Sequence, residues 1–112
     1  MDALNQYREI VENCLREYAA VKYAIQDLAN EAIFDRQQDR YVVMSMGWDH
    51  QKRLHGTLIH IDIIDGKVWV QRDGTEEGIA CKLADAGIRR EDIVLGFRPA
   101  EFRGLVNWGQ AG

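Results

Sequence analysis

Apolar residues near the start of the chain recur at the spacing of an α-helix. From residue 3 to residue 22 they are separated by three or four positions, and polar residues occupy the other side. The apolar stripe consists of Leu4, Tyr7, Val11, Cys14, Leu15, Tyr18 and Val21. This pattern predicts one amphipathic helix with its stripe in the core and Asp2 as its N-cap.

The middle of the chain is rich in β-forming residues separated by short polar turns. Residues 30–36 form a candidate short strand, and residues 40–48 and 54–64 form two longer ones. The connector at residues 23–30 has no clear pattern. A hairpin follows at Asp65-Gly66, because this pair readily adopts the positive φ angles of a type I′ turn.

The predicted hairpin sorts its residues onto two faces. Its turn pairs Ile64 with Lys67, and the ladder continues until His60 lies opposite Gln71. One face is aliphatic and predicts the core: it holds Ile59, Ile61, Ile63, Val68 and Val70. The other face is more polar and holds Leu58, His60, Asp62, Trp69, Gln71 and Asp73.

A second helix is expected between residues 75 and 86, followed by a short buried strand at Ile93–Leu95. Thr75 is the predicted N-cap, with Glu76 and Glu77 in the first turn, and Gly87 is the predicted left-handed residue after the helix. The apolar stripe of this helix is Ile79, Leu83 and Ala84 or Ala86. Together these elements predict an α+β fold, with both helices packed on one face of an antiparallel β-meander of four to five strands.

Length and composition place the chain in the class of globular proteins. It has 112 residues, 46% of them hydrophobic and 29% charged, which indicates one domain over residues 1–112 rather than a disordered chain. Residues 99–112 form a glycine- and aromatic-rich tail that either folds back over the core or extends from it. The start lacks a signal-peptide pattern, and no apolar run is long enough to cross a bilayer, so we expect a cytoplasmic protein.

Charge and ligand spacing argue against several kinds of site. The net charge is −4, whereas a protein that binds duplex DNA on its own usually has a basic face. The two cysteines, Cys14 and Cys81, fall in separate predicted helices and have no zinc-type spacing. We therefore expect no resident metal or cofactor.

The polar hairpin face contains the candidate catalytic residues His60, Asp62 and Asp73. His60 and Asp62 are two positions apart on one strand, so their side chains start about 7 Å apart on the same face. A metal-dependent or acid–base enzyme using all three is one interpretation. The preferred interpretation is a set of ordinary cross-strand pairs, since Ser45 is the only serine and lies in no nucleophile motif.

Trp69 is the main candidate for an interaction site on this face. Tryptophan is enriched at the centres of protein interfaces, and Leu58 and Gln71 share the predicted surface with it. Either the N-terminal stripe or the tail covers Trp69, or another protein does. We expect the second, with a homo-oligomer or a different protein as the partner.

Several long blocks resemble the XisI family. They are LNQYREIVENCLREYA near the start, IFDRQQDRYVVMSMGW in the middle, then HIDIIDGKVWVQRDGTEEGIA and LADAGIRREDIVLGF. Together they span roughly residues 3–98 in one colinear series. The tail PAEFRGLVNWGQAG departs from the usual family ending, which has a second proline and a more basic stretch.

The resemblance carries expectations about function. The family is named for a factor that controls excision of the fdxN element, a DNA segment removed by site-specific recombination in heterocyst-forming cyanobacteria. It implies an α+β fold, a regulatory protein that does not itself catalyse strand exchange, and an XisH-like protein as partner. No catalytic residue transfers from the family to this chain.

Overall fold

The computed structural model describes residues 3–21 and 27–99. It contains two α-helices and five β-strands, which confirms the predicted α+β fold. In chain order the elements are α1 (Ala3–Ala19), β1 (Asp27–Asp35), β2 (Arg40–Asp49), β3 (Lys52–Ile64), β4 (Lys67–Asp73), α2 (Ile79–Asp85) and β5 (Ile93–Leu95). Asp2 and most of the tail at residues 99–112, Trp108 included, lie outside the described residues.

The sheet has its five strands in sequence order, so each strand lies beside its neighbour in the chain. Strands β1 to β4 form the expected antiparallel meander, but β5 runs parallel to β4. The expectation of a purely antiparallel sheet was therefore wrong at its last strand. The reason is α2, because a helix between two strands returns the chain to the starting end of the sheet.

Both helices pack on the same face of the sheet and enclose a single core. Four residues of the α1 stripe are buried with the aliphatic face of the β3–β4 hairpin, as predicted. Val21 lies beyond the end of α1 and is exposed, so the predicted stripe was one residue too long. From α2, Ile79 and Leu83 complete the cluster, with Ala84 packed against it.

The Asp65-Gly66 turn forms as predicted, with φ angles of 52° and 78°. Pairing follows the predicted register from Ile64–Lys67 to Ile61–Val70. Beyond that point a β-bulge shifts the ladder, and His60 pairs with Arg72 instead of Gln71. The extra residue at Gln71 changes which face each later side chain of β4 occupies.

A second bulge lies on the other side of β3. Val43 pairs with Ile59 and Met44 pairs with Thr57, so Leu58 is the extra residue. Leu58 packs against the hydrophobic core. Its predicted place beside Trp69 on the polar face was therefore wrong, because the bulge moves it to the helical side of the sheet.

Helix α2 begins at Ile79, four residues after the predicted N-cap at Thr75. Glu76 and Glu77 precede the helix rather than forming its first turn. The predicted end is correct: Gly87 has a φ of 124°, and its N–H donates to the carbonyl of Ala84. The N–H of Ile88 donates to the carbonyl of Leu83, which completes a Schellman motif.

Candidate functional site: the open face of the sheet

The side of the sheet opposite the helices is covered by neither of them. We call it the open face and define it by the outward residues of β1 to β4, namely Asp27, Ala29, Glu31, Ile33, Asp35, Arg40, Val42, Met44, Met46, Trp48, Arg53, His55, Thr57, His60, Asp62, Ile64, Lys67, Trp69, Gln71 and Arg72. It contains most of the candidate site residues, so it is the place where chemistry or partner binding has to be tested.

His60 and Asp62 form a hydrogen-bonded pair on the open face. His60 Nε2 lies 2.9 Å from Asp62 Oδ1, and Gln71 Nε2 donates to Asp62 Oδ2 at 3.2 Å. The side chains of His60 and Asp62 are 35% and 16% exposed, so the pair is partly shielded but accessible from solvent. The carboxylate of Asp62 thus has a partner on each oxygen.

The arrangement resembles half of an acid–base site, because a carboxylate that holds one imidazole nitrogen orients the ring. A complete catalytic site would also need a nucleophile beside His60, and a metal site would need a third ligand. Within residues 3–21 and 27–99, His60 makes no hydrogen bond to a serine, threonine or cysteine. In that same part of the chain no group of three metal-binding side chains is found.

Asp73, the third predicted member of the site, has a different role. The bulge at Gln71 places Asp73 opposite Ile59, a residue of the core face. Its carboxylate accepts hydrogen bonds from the N–H and hydroxyl of Thr75 at 2.9 and 2.5 Å, and from the N–H of Ile79 at 2.8 Å. Asp73 therefore organises the start of α2 and does not join His60 and Asp62.

Trp69 lies opposite Asp62 on the open face, as the alternation of β4 predicts. It is partly buried, and Gly96, the residue after β5, lies close to its ring. A Cβ atom at Gly96 would lie 3.1 Å from Cε3 of Trp69 and 2.6 Å from Oε1 of Gln71, so a glycine permits this close approach. Sequence reasoning missed Gly96, since only the position of β5 brings it beside Trp69.

The open face also has an uneven distribution of charge. On β1 its charged residues are all acidic, at Asp27, Glu31 and Asp35, and all three are exposed. On β4 the charged residues are basic, at Lys67 and Arg72. The acidic edge and the basic side of the face are separated by β2 and β3.

A shallow pocket of about 400 Å³ lies beside the β2–β3 end of the sheet. Its lining is mostly apolar and consists of Leu28, Ser45, Arg53, Leu54, His55, Gly56, Thr57 and Leu58. His60 and Asp62 are not part of it. The pocket therefore gives the His60–Asp62 pair no enclosed space in which to bind a substrate.

Other charged contacts of the chain join α1 to the β1–β2 turn. Arg36 donates to both carboxylate oxygens of the buried Glu12, and Arg8 donates to both oxygens of Asp39. The hydrogen bonds from Arg36 lower the pKa of Glu12, and those from Arg8 lower the pKa of Asp39. Burial, and then the hydrogen bond to Asp39, raises the pKa of Tyr41. These groups stabilise the fold and face away from the open face.

The fold and its elements define a small α+β protein of the XisI type, and comparison with known proteins identifies the family. The family model described as "XisI protein" matches residues 1–110, so the chain belongs to the XisI family. The match extends into the tail, beyond the blocks that carry the resemblance. No helix within the described ranges is long and apolar enough to span a membrane.

Two solved structures support the assignment. A XisI-like protein from Anabaena variabilis ATCC 29413 is 36% identical, with a TM-score of 0.85 over 96% of this chain and 99% of that chain. The fdxN element excision controlling factor XisI from the same organism is 32% identical, with a TM-score of 0.78 over 94% of this chain and 96% of that chain. No curated protein matches.

Proposed function

We propose that this protein is a non-enzymatic controlling factor for site-specific excision of a DNA element and that it acts by binding a second protein. The observation that carries the proposal is its similarity, over nearly the full length of both chains, to the fdxN element excision controlling factor XisI. An XisH-like protein is the proposed partner, and the cytoplasm is the proposed location.

Charge supports action through a protein rather than through direct DNA recognition. The chain has a net charge of −4, and duplex DNA attracts proteins through clusters of unpaired basic residues. The two arginines of the α1 contacts, Arg8 and Arg36, are already paired with carboxylates. A protein of this kind increases or decreases excision by changing the activity or placement of a DNA-binding partner.

The hydrogen bonds that the candidate site residues already make within the protein support a non-enzymatic role. Asp73 is committed to the start of α2, and Asp62 is bonded by both His60 and Gln71. The second candidate function is an acid–base enzyme that uses His60 and Asp62 alone. The 2.9 Å bond between them is the observation that favours it.

The test is an excision assay in a host that carries the element, with this gene deleted and then restored. Quantitative amplification across the joined ends measures the excised fraction. We expect excision to depend on the protein and to be restored equally by wild type and by a His60→Ala/Asp62→Asn double variant. A folded double variant that fails to restore excision would favour the enzyme, and excision that does not depend on the gene would refute the role in control.

A second measurement tests the partner. The tagged protein is co-expressed with the product of the adjacent gene, and the complex is isolated and weighed in solution. Co-purification in a fixed ratio supports action through a protein. If the adjacent product does not bind while excision still depends on this protein, the proposed partner is wrong and the role in control stands.

A further inference from the structure

We propose that the open face is a self-association surface, on which a second copy of this chain packs with its β1 strand over the β4 strand of the first. The inference is independent of the excision role, because it depends only on the apolar surface, charge and dimensions of this face. Three observations lead to it.

The first observation is where the exposed hydrophobic residues lie. The large exposed hydrophobics of the described residues are Val21, Ile33, Trp48, Ile64 and Phe97. Three of these five, Ile33, Trp48 and Ile64, belong to the open face, and Ile33 is 56% exposed. Val42, Met44 and Met46 lie between them on β2, and Trp69 lies beyond them on β4. All four are partly buried. Apolar side chains grouped in this way, with charged residues among them, are more typical of an interface than of a solvated sheet.

The second observation is the charge pattern, which selects a second copy as the occupant. Glu31 on β1 and Lys67 on β4 form no ion pair or hydrogen bond within the described part of the chain, and neither does Arg40 on β2. On the acidic edge Glu31 is therefore unpaired among the described residues, whereas Asp35 accepts hydrogen bonds from the N–H groups of Gln37 and Gln38. On the basic side Lys67 is likewise unpaired among them, whereas Arg72 donates to the carbonyl oxygen of Thr57. A surface with these two halves is complementary to itself.

The pattern also selects the orientation of the two copies. A two-fold axis parallel to the strands places β1 of each copy over β4 of the other, which brings acidic residues opposite basic ones. A two-fold axis that lies in the plane of the interface but perpendicular to the strands would instead stack β1 on β1. That arrangement would place acidic residues against acidic residues. In the first arrangement Glu31 and Asp35 approach Arg72 and Lys67 of the second copy.

The third observation is the size of the face. Strands β1 to β4 contain 9, 10, 13 and 7 residues. With about ten residues per strand, about 3.3 Å per residue and about 4.8 Å between strands, they cover about 600 Å². Two such faces bury about 1,200 Å², which is the lower end of the range for specific interfaces. An interface at this end of the range is expected to form a reversible dimer.

Charge exchange tests the proposal. The mass in solution is measured over a wide concentration range by sedimentation equilibrium for wild type, Glu31→Lys, Arg72→Glu and the double exchange variant. A two-fold interface contains each contact twice, so each single reversal is expected to weaken dimerisation about tenfold or more. The double variant is expected to recover much of the loss, because attraction is restored with the signs exchanged.

Two further variants sharpen the test. Trp69→Ala is expected to weaken the dimer as well, whereas Asp85→Lys, a reversal at an exposed residue of α2, is expected to leave it unchanged. Thermal unfolding followed by circular dichroism shows that each variant is folded. A protein that is monomeric at all concentrations overturns the proposal, and so does a dimer that is insensitive to the reversals. It is equally overturned if the reversals leave self-association unchanged but abolish binding of the adjacent gene product.

Discussion

The carboxylate of Glu12 in α1 accepts two hydrogen bonds from the guanidinium of Arg36, which follows the last residue of β1. Nε of Arg36 lies 2.7 Å from Oε2 of Glu12, and Nη2 lies 3.0 Å from Oε1. The Glu12 side chain is only 7% exposed, whereas that of Arg36 is 46% exposed. The pair joins the first helix to the first hairpin, two elements that are separated in sequence by a connector.

Acid is expected to weaken this junction, and Glu12→Gln is expected to remove part of the effect. The hydrogen bonds from Arg36 lower the pKa of Glu12 in the folded protein. A carboxyl group of this kind stabilises the fold at pH values above its ordinary pKa of about 4.3 and loses that contribution as the pH falls through its lowered native pKa. Wild type should therefore lose this contribution progressively as the pH falls below about 4.3.

Urea unfolding at a series of pH values measures the effect. At neutral pH, Glu12→Gln should lower the free energy of unfolding by about 1–2 kcal/mol, because a charged, bidentate contact is replaced by a neutral one beside a partly exposed arginine. Its stability should then depend less on pH in the acid range. Glu76→Gln is the control, since Glu76 is exposed. Equal acid sensitivity in the Glu12 variant and wild type would contradict the assignment.

Asp73 is expected to contribute to stability through α2. It accepts three hydrogen bonds, including one from the first helical N–H at Ile79. Asp73→Ala should lower the free energy of unfolding by about 2 kcal/mol, as for the loss of a strong helix cap. Asp73→Asn should cost less, because its amide oxygen still accepts. Chemical denaturation measures both variants, and a Glu76→Ala control should change little. An Asp73→Ala variant as stable as wild type would show that Asp73 does not stabilise the start of α2.

Two glycines in adjacent strands provide a matched pair. A Cβ atom at Gly47 would overlap the carbonyl oxygen of Asp27 on β1, whereas one at Gly56 has no neighbour within 4 Å. Gly47→Ala should therefore displace β1 and cost about 3 kcal/mol or more. Gly56→Ala should be neutral or stabilising by up to about 1 kcal/mol, because alanine loses less chain entropy on folding. Similar thermal midpoints for the two variants would show that β1 does not lie where the structure places it.

Sequence reasoning correctly predicted the elements whose conformation is set by residues within the element itself. The hairpin at Asp65-Gly66 follows from the φ angles of its two residues, and the end of α2 follows from Gly87. The bulges at Leu58 and Gln71 have no such signal, because one extra residue changes the pairing without changing the composition of the strand. They explain why Leu58 and Asp73 were placed on the wrong face.

The remaining errors concern the start of α2 and the direction of β5. Thr75 is a good N-cap residue by composition, but the carboxylate of Asp73 binds the N–H of Ile79 and the helix begins there. The direction of β5 was predictable in principle, since a helix between β4 and β5 favours parallel strands. The His60–Asp62 pair on one face was predicted from alternation alone, and the structure confirms that placement.

The protein alone is expected to bind duplex DNA weakly and without sequence preference. The basic pair Arg89-Arg90 is partly neutralised, because Arg89 donates to Glu91 at 2.6 Å. At the other basic pair, Arg53 of Lys52-Arg53 lies over the ring of Trp48. Each pair is short in sequence and is followed by an uncharged or acidic residue, Leu54 or Glu91. Affinity should therefore stay in the range of non-specific binding, with dissociation constants of about 10⁻⁴ to 10⁻⁶ M at physiological salt.

Fluorescence anisotropy with a labelled duplex from the element boundary, and with a scrambled duplex of the same composition, measures that affinity. The two curves should coincide and weaken together as salt increases, since contacts to phosphate carry no sequence information. Arg53→Glu should reduce both equally. Nanomolar binding that distinguishes the two duplexes would show that the protein recognises DNA directly, and action through a partner would then lose its main physical argument. If selectivity appears only after the adjacent gene product is added, the partner supplies the DNA contact and this chain controls it.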